Sequence, residues 1–368
     1  MFFGVFVMCD DEKYMCIVLE LAKEAAGRVS PDPLVGAVIV KDGEIIGRGN
    51  YAVYGAPHAE AVALKEAGAN AKGSTVYTNL EPCCHHGKNP PCTDALIAAG
   101  VKRVVSSIPD PNPKVNSGGI QILKDAGVEV EIGLLEEEAR EINEVFLKYI
   151  TSRMPFVVLK IAQTLDSRIA EDNGQPTTIS SEESHKEVHK LRAQYDAVMV
   201  GANTVRVDNP ELTVRHVEGR NPKRIVVAGA GPIPLESRVF TDDNRANTIV
   251  ACTPDSASAY SNLDGVTIWE IERDRSGSLS LMKLMIKIGE ERISSVLLEG
   301  GSTLASSFIR HKLIDKVHIF TAPVMLGGGI PAVRDIGPSK IDRALRLERT
   351  NVSTSGDDIW LVGYPDWR

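Results

Sequence analysis

A histidine and a glutamate stand two residues apart at His58 and Glu60, and two Pro-Cys pairs follow at Pro82-Cys83 and Pro91-Cys92. One imidazole and two thiolates suffice to hold a zinc ion with a fourth position open to water. Four protein ligands would close the site and make it structural, whereas three leave room for chemistry. Water on such an ion ionises near neutral pH. A carboxylate beside the ligands, but not one of them, then takes and returns protons, and Glu60 is that carboxylate. The competing arrangement is a closed site with Cys84, His85 or His86 as fourth ligand. It leaves Glu60 without a task and sets adjacent cysteines against each other for one metal, so Cys84 reads as a packing neighbour.

The surrounding elements must bring the two ends of this stretch together. Apolar side chains at Met15, Val18, Leu19, Ala22, Ala25 and Ala26 recur at helical spacing over 13–27, and Gly27 ends the run. Two short strands, 34–40 and 44–48, flank Asp42-Gly43, a hairpin signal. The pattern then predicts a helix from near His58 to Gly68, a strand at 75–79, a helix from near Cys92 to Gly100 and a strand at 103–108. A helix over 119–126, a strand over 128–132 and one long helix over 136–150 follow. Both ends of the metal stretch thus fall at helix N-termini, where the dipole and free N–H groups favour a thiolate.

A boundary is expected at 151–155, giving domains 1–152 and 153–368. The second half repeats the alternation, with strands at 156–161, 197–201, 224–229, 248–251, 266–270, 295–299 and 317–322. Its clearest helices are 182–194, 281–290 and 303–311. Such alternation implies layered α/β architecture. Glu299-Gly300-Gly301-Ser302-Thr303 follows an apolar strand and opens a helix, a place where backbone approaches phosphate closely. It is not the G-x-G-x-x-G fingerprint, and a two-glycine turn is more often structural. The run Gly327-Gly328-Gly329 is either a flexible turn or a cofactor-side loop.

Composition narrows the function classes. The chain has 368 residues, 43% hydrophobic and 24% charged, with a formal net charge of −8. An acidic chain without a basic run argues against nucleic-acid binding. Of the six cysteines, at 9, 16, 83, 84, 92 and 252, three cluster beside histidines. That reads as metal rather than disulfide, hence a reducing, cytoplasmic setting. The apolar first eight residues lack a basic flank and are too short for a membrane span, so Met8 is an alternative start.

The runs Pro33–Gly36, His58-Ala59-Glu60, EPCCHHGKNPPCTDALIAAGVKRV and Asp110-Pro111-Asn112-Pro113 together resemble the bacterial bifunctional riboflavin-biosynthesis deaminase/reductases. The H-x-E and P-C elements are shared by zinc nucleobase deaminases generally. The long insertion between the cysteines is the family's own. The resemblance covers nearly the whole chain. It implies an N-terminal cytidine-deaminase-like three-layer α/β/α domain and a C-terminal dihydrofolate-reductase-like α/β domain using NADPH. It also implies zinc on His58, Cys83 and Cys92, with Glu60 as proton shuttle and Lys88 on the substrate-side loop. In the reductase half it implies cofactor contacts at Ala162, Thr178, Thr204, Asp208 and along Gly301, Ser302, Thr303, Leu304, Ala305, Ser306 and Ser307. Substrate contacts are implied at Pro176, Arg192, Leu212, Arg215 and Glu299. Chemically, guanidinium groups at Arg192 and Arg215 suit a ribose 5′-phosphate, Glu299 suits sugar hydroxyls, and Lys160 suits a place near the reacting carbonyl. The substrate would be a small pyrimidine ribosylamino phosphate, with no nucleic-acid or membrane partner. Assembly would be a homodimer or homotetramer.

The chain departs from the family pattern at a few places. Asp32 stands where the motif usually has Asn, and Tyr51 and Val62 where histidines are common. Pro176 and Thr178 replace a Ser and a Trp, and LDSRIA replaces LDGKIA. These changes motivate an alternative reading, a deaminase of this or a related aminopyrimidine with a degenerate, non-catalytic second domain.

Overall fold

A computed structural model describes residues 10–368 except 88, 114, 116, 173–177 and 230–232. The chain divides between Arg153 and Met154 into two compact units.

The first unit runs α1 (Asp10–Lys23), β1 (Gly36–Lys41), β2 (Glu44–Asn50), α2 (Ala59–Ala67), β3 (Thr75–Leu80) and α3 (Cys92–Ala98). It continues with β4 (Arg103–Ile108), α4 (Gly118–Asp125), β5 (Glu129–Ile132), α5 (Glu136–Ile142) and α6 (Glu144–Ser152). Its sheet has the order β2-β1-β3-β4-β5. β1 pairs antiparallel with β2 and β3, and β3, β4 and β5 are parallel. The β1–β2 turn needs two residues at positive φ, and Asp42 and Gly43 supply them at 52° and 82°. Along β1 the side chains alternate between two cores. Ala37 and Ile39 join Ala59, Ala63 and Leu96 from α2 and α3. Val38 and Val40 join Met15 and Val18 of α1. The sheet is therefore covered by helices on both faces, giving three layers.

Two helices differ from expectation. α1 spans Asp10–Lys23 rather than 13–27, because Asp10, Asp11 and Glu12 form a favourable acidic first turn. The single helix expected over 136–150 is broken at Asn143, whose φ of −106° and ψ of 12° leave the helical region. The buried Asn143 side chain is committed elsewhere: its Oδ1 accepts from Leu34 N at 2.8 Å and its Nδ2 donates to Leu34 O at 3.0 Å.

The second unit begins β6 (Phe156–Thr164), β7 (Arg168–Ala170), α7 (Glu182–Gln194), β8 (Ala197–Gly201), α8 (Ala202–Asp208) and β9 (Lys223–Val227). Then come α9 (Arg238–Thr241), β10 (Thr248–Cys252), β11 (Thr267–Glu270), α10 (Leu281–Glu290), β12 (Ser295–Leu298) and α11 (Ser302–Arg310). It closes with β13 (Lys316–Ala322), β14 (Ile330–Pro331), β15 (Arg346–Ser355) and β16 (Asp358–Asp366). Nine strands form one sheet in the order β11-β10-β9-β8-β12-β6-β13-β16-β15, and β7 pairs separately with β14. From β11 to β13 every pairing is parallel. The strands β8, β10 and β12 are buried, largely apolar runs, as a sheet covered on both faces requires. Leu159, Met199, Leu298 and Phe308 lie in the shared core. The chain leaves β8 outward to β11 and returns to insert β12 between β8 and β6. Ligands of open α/β sheets sit at the carboxyl ends of strands near such reversals. Among the described residues no helix is long and apolar enough to cross a membrane.

Candidate functional site

His58 is the N-cap of α2 and Cys92 the first residue of α3, while Cys83 lies on the segment leaving β3. His58 Nδ1 is 3.4 Å from Cys83 Sγ and 3.3 Å from Cys92 Sγ. Zn–S bonds of about 2.3 Å and Zn–N bonds of about 2.0 Å at tetrahedral angles put N and S about 3.5 Å apart, so the three donors fit zinc. Among the described residues, these three form the cluster of potential metal ligands, and Cys84, His85 and His86 stand outside it. Cys84 Sγ packs instead against Gly118.

The electrostatics suit a cation. The Cys83 thiol is pulled down to about 4 by the hydrogen bond from Cys92, aided by His58 and the Cys92 backbone N–H, against the effect of burial. Cys92 N donates to Cys83 Sγ at 3.4 Å. With both sulfurs sharing one proton, Cys92 is pushed up by that bond to Cys83, by burial and by Glu60. With zinc bound, the two sulfurs would hold the metal in place of this proton. Glu60, second in α2, is 3% exposed, with Oε2 3.5 Å from Cys92 Sγ. Burial, and then the Cys83 charge, raise its pKa, which suits a group that holds and releases a proton.

Several supports escaped the sequence reading. The buried Glu81 carboxylate accepts backbone N–H groups from Asp110 at 3.0 Å, Ser117 at 3.2 Å and Ile120 at 3.1 Å. It thereby anchors the approach to Pro82-Cys83. A side chain at Gly119 would come within 2.1 Å of Pro82 O. Burial pushes Asp110 up to about 6. Asn79 holds the loop after Asp32, accepting from Gly36 N and donating to Leu34 O, both at 2.8 Å. The only hint was a Glu directly before the first Pro-Cys pair. Two of the departures prove to be one: Tyr51 OH donates to Asp32 Oδ2 at 2.8 Å, and the Tyr51 ring meets His58 edge-on at 5.5 Å. Lys88 lies outside the described residues.

In the second unit a cavity of about 930 Å³ opens at the carboxyl ends of β6, β8, β9 and β12. Of the residues expected to contact cofactor, Ala162, Thr178, Thr204, Asp208, Gly301, Ser302, Thr303, Leu304, Ala305 and Ser307 line it. Lys160 and Glu299 line it too. Gly201 N donates to Gly300 O at 2.9 Å, joining the starts of α8 and α11, and Gly300 at φ 113° needs to be glycine. Ser306 does not line the cavity; its buried hydroxyl accepts from Arg334 N at 2.7 Å.

The expected substrate residues separate. Arg192, its side chain 12% exposed, grips Glu299 with two bonds, Nε–Oε1 at 2.6 Å and Nη2–Oε2 at 2.8 Å, and its Nη1 donates to Thr213 O at 3.1 Å. Burial alone would raise Glu299, but Arg192 outweighs it and keeps the carboxylate ionised. Burial lowers the Lys160 ammonium, Glu299 opposes that shift and Arg192 adds to it. Leu212 is buried at φ 56°, and Arg215 bonds Glu211 at 2.6 Å and Thr213 Oγ1 at 3.0 Å. None of Arg192, Leu212 and Arg215 lines the cavity. His185 does, unforeseen, while His189 accepts from Arg215 N at 3.0 Å and is held down at about 4 by burial. Pro176 lies outside the described residues. The Gly327–Gly329 run is a turn, tied by Gly327 N to Asp166 at 2.8 Å and Gly329 N to Asp172 at 2.7 Å.

Comparison with known proteins gives the same division. Residues 8–108 match the family described as cytidine and deoxycytidylate deaminase zinc-binding region, and residues 155–361 match the RibD C-terminal domain. Riboflavin biosynthesis protein RibD of Aquifex aeolicus is 39% identical over 350 residues, 95% of this chain and 97% of that protein. The Escherichia coli protein of the same name is 37% identical over 365 residues, covering 95% and 98%. The solved Thermotoga maritima deaminase/reductase superposes with a TM-score of 0.87 at 37% identity, covering 97% of this chain and 99% of that one. Acinetobacter baumannii RibD gives 0.86 at 36% identity, covering 97% and 99%. Zinc, a deaminase unit and an NADPH-dependent reductase unit thus go together here, and the chain belongs to the RibD family of bifunctional riboflavin-biosynthesis deaminase/reductases.

Proposed function

We propose the following division of labour for the two steps of this family: hydrolytic deamination of 2,5-diamino-6-ribosylamino-4(3H)-pyrimidinone 5′-phosphate, then NADPH-dependent reduction of the ribosyl to a ribityl chain. Residues 1–152 carry the first step and 153–368 the second. The single observation that carries the reading is the His58–Cys83–Cys92 triangle, with N···S edges of 3.3 and 3.4 Å and the buried Glu60 beside it. His58, Cys83 and Cys92 hold zinc, which supplies the Lewis acidity that brings water ionisation toward neutral pH. Glu60 takes the proton of the attacking water, delivers it to a ring nitrogen and returns a proton to the departing ammonia. Lys88 contacts the substrate.

In the second step, NADPH supplies hydride to C1′ of the opened ribose. Gly301 and the start of α11 (Ser302, Thr303, Leu304, Ala305 and Ser307), with Ala162, Thr178, Thr204 and Asp208, hold the cofactor. Lys160 sits toward the reacting carbon, where its lowered pKa lets it give up a proton. Glu299, kept ionised by Arg192, accepts from sugar hydroxyls, so Arg192 acts through Glu299. Arg215 meets the 5′-phosphate, and Leu212 and Pro176 are further substrate contacts. The protein works in the cytoplasm as a homodimer or homotetramer.

Purified, zinc-loaded protein given the substrate should yield the deaminated product without NADPH, and a further gain of two hydrogens only with it. Mass spectrometry distinguishes the species. Absence of the first product in zinc-replete protein overturns the reading.

A further inference from the structure

Arg334 lines the cofactor cavity but belongs to none of the elements that the motif reading assigned to it. It follows the β14 strand, and two bonds fix it to one face of α11. Its backbone N donates to Ser306 Oγ at 2.7 Å, and its Nε donates to Ser302 Oγ at 2.9 Å, one turn earlier. The side chain therefore runs back along the helix toward the Gly300-Gly301 turn. Nε is used, but Nη1 and Nη2 have no partner among the described residues, and the residue is exposed to the cavity side. This explains why Ser306 fails to line the cavity: its hydroxyl holds the backbone of the residue that does.

We propose that Arg334 binds the pyrophosphate of the dinucleotide cofactor, presenting its two free guanidinium nitrogens to phosphate oxygens at the Gly301-Ser302 turn, with Ser306 as the positioning residue. The inference rests on the assignment of this cavity to NADPH. A guanidinium is the side chain best matched to two phosphate oxygens at once. Held at Nε, it loses little freedom on binding. The bridging phosphates, rather than the 2′-phosphate, are indicated because Ser302, which holds Nε, is the first residue of α11, directly after the Gly300-Gly301 turn.

The test is calorimetric titration of the full-length zinc enzyme with NADPH and with NADH, which share the pyrophosphate and differ in the 2′-phosphate. Arg334→Ala should weaken both by a similar factor, about tenfold or more. Arg334→Lys should recover part of the loss. Ser306→Ala should show a weaker version of the same pattern, with the KM for NADPH raised by a larger factor than kcat falls. Loss confined to NADPH would move Arg334 to the 2′-phosphate and overturn the assignment, as would unchanged affinity for both. Failure of the wild-type enzyme to bind NADPH would instead overturn the assignment of the cavity.

Discussion

The two sites are built from opposite materials. The metal centre is made of side chains drawn from residues 58 to 92, each of a type that does little else when buried together. The cofactor cavity is made of strand ends and helix starts drawn from residues 159 to 334, most of them small or apolar. In the first site, function lies in residue type, and the fold only has to converge three donors. In the second, function lies in topology: β12 must insert between β8 and β6 before the turn at Gly300 meets the start of α8. Substitution should therefore act very differently on the two.

The largest contrast is expected from Glu60→Gln. The amide keeps the shape but cannot accept a proton, so deamination should fall by about 10²- to 10⁴-fold. Zinc content should stay the same, because Glu60 is not a ligand, and NADPH binding should be untouched. A loss of zinc would make Glu60 part of the coordination set. In the second site the corresponding stroke is Arg192→Met, which strands the Glu299 carboxylate at 7% side-chain exposure. Removing one partner of a buried pair costs about 3–5 kcal/mol. The second unit should melt earlier and reduction should fail. A variant that loses reduction at unchanged stability would instead give Arg192 a direct place on the substrate.

A third effect sharpens the comparison through pH. Asp110 has an ordinary carboxyl value of 3.8 when unfolded and is pushed up to about 6 when folded, chiefly by burial. Between these values the folded chain holds the proton more tightly, so this contribution favours folding at low pH and is lost as pH rises through about 6. Its size is up to about 3 kcal/mol. Asp110→Asn keeps the acceptor for Asn112 N, a 2.8 Å bond, and removes the charge. Denaturant melts of the first unit should show the variant more stable than wild type above pH 6. The two should converge below about pH 4, and a constant difference across that range would refute the shift.

The legible parts of the fold were those with local signals. α7 and α10 span 182–194 and 281–290 as their spacing predicts, each beginning after a serine cap. β4 likewise fills 103–108. The metal ligands were legible because their residue types are diagnostic. What could not be read depends on partners far away in sequence. Asn143 breaks a helix for the sake of Leu34, 109 positions earlier. Ser306 lies within the expected cofactor loop, yet its hydroxyl serves Arg334, 28 positions later. The β15–β16 hairpin was missed for a different reason. Eight of the ten residues of β15 are exposed, so no apolar alternation marks it as a strand.

The smallest prediction concerns the linked departures beside the metal. Asp32 and Tyr51 each replace a residue usual in the family, and a reading one position at a time treats them as two losses. In the fold Tyr51 OH donates to Asp32 at 2.8 Å and accepts from Gly55 N at 2.6 Å, with the ring against His58. Burial, and then the Asp32 bond, push the phenol up to about 12, so it remains a donor at any working pH. Tyr51→Phe leaves the ring in place but strands Gly55 N and one lone pair of Asp32, at about 1 kcal/mol for each bond lost. Asp32→Asn keeps an oxygen to accept from Tyr51 and should cost less. If the pair is one unit, the double variant should be no worse than Tyr51→Phe alone, a coupling of about 0.5–1 kcal/mol in a double-mutant cycle on stability. Zinc affinity followed in the same cycle tells whether the Tyr51 ring also orients His58. Strict additivity would mean that the two substitutions are independent, and that each must be explained by its own contact with substrate.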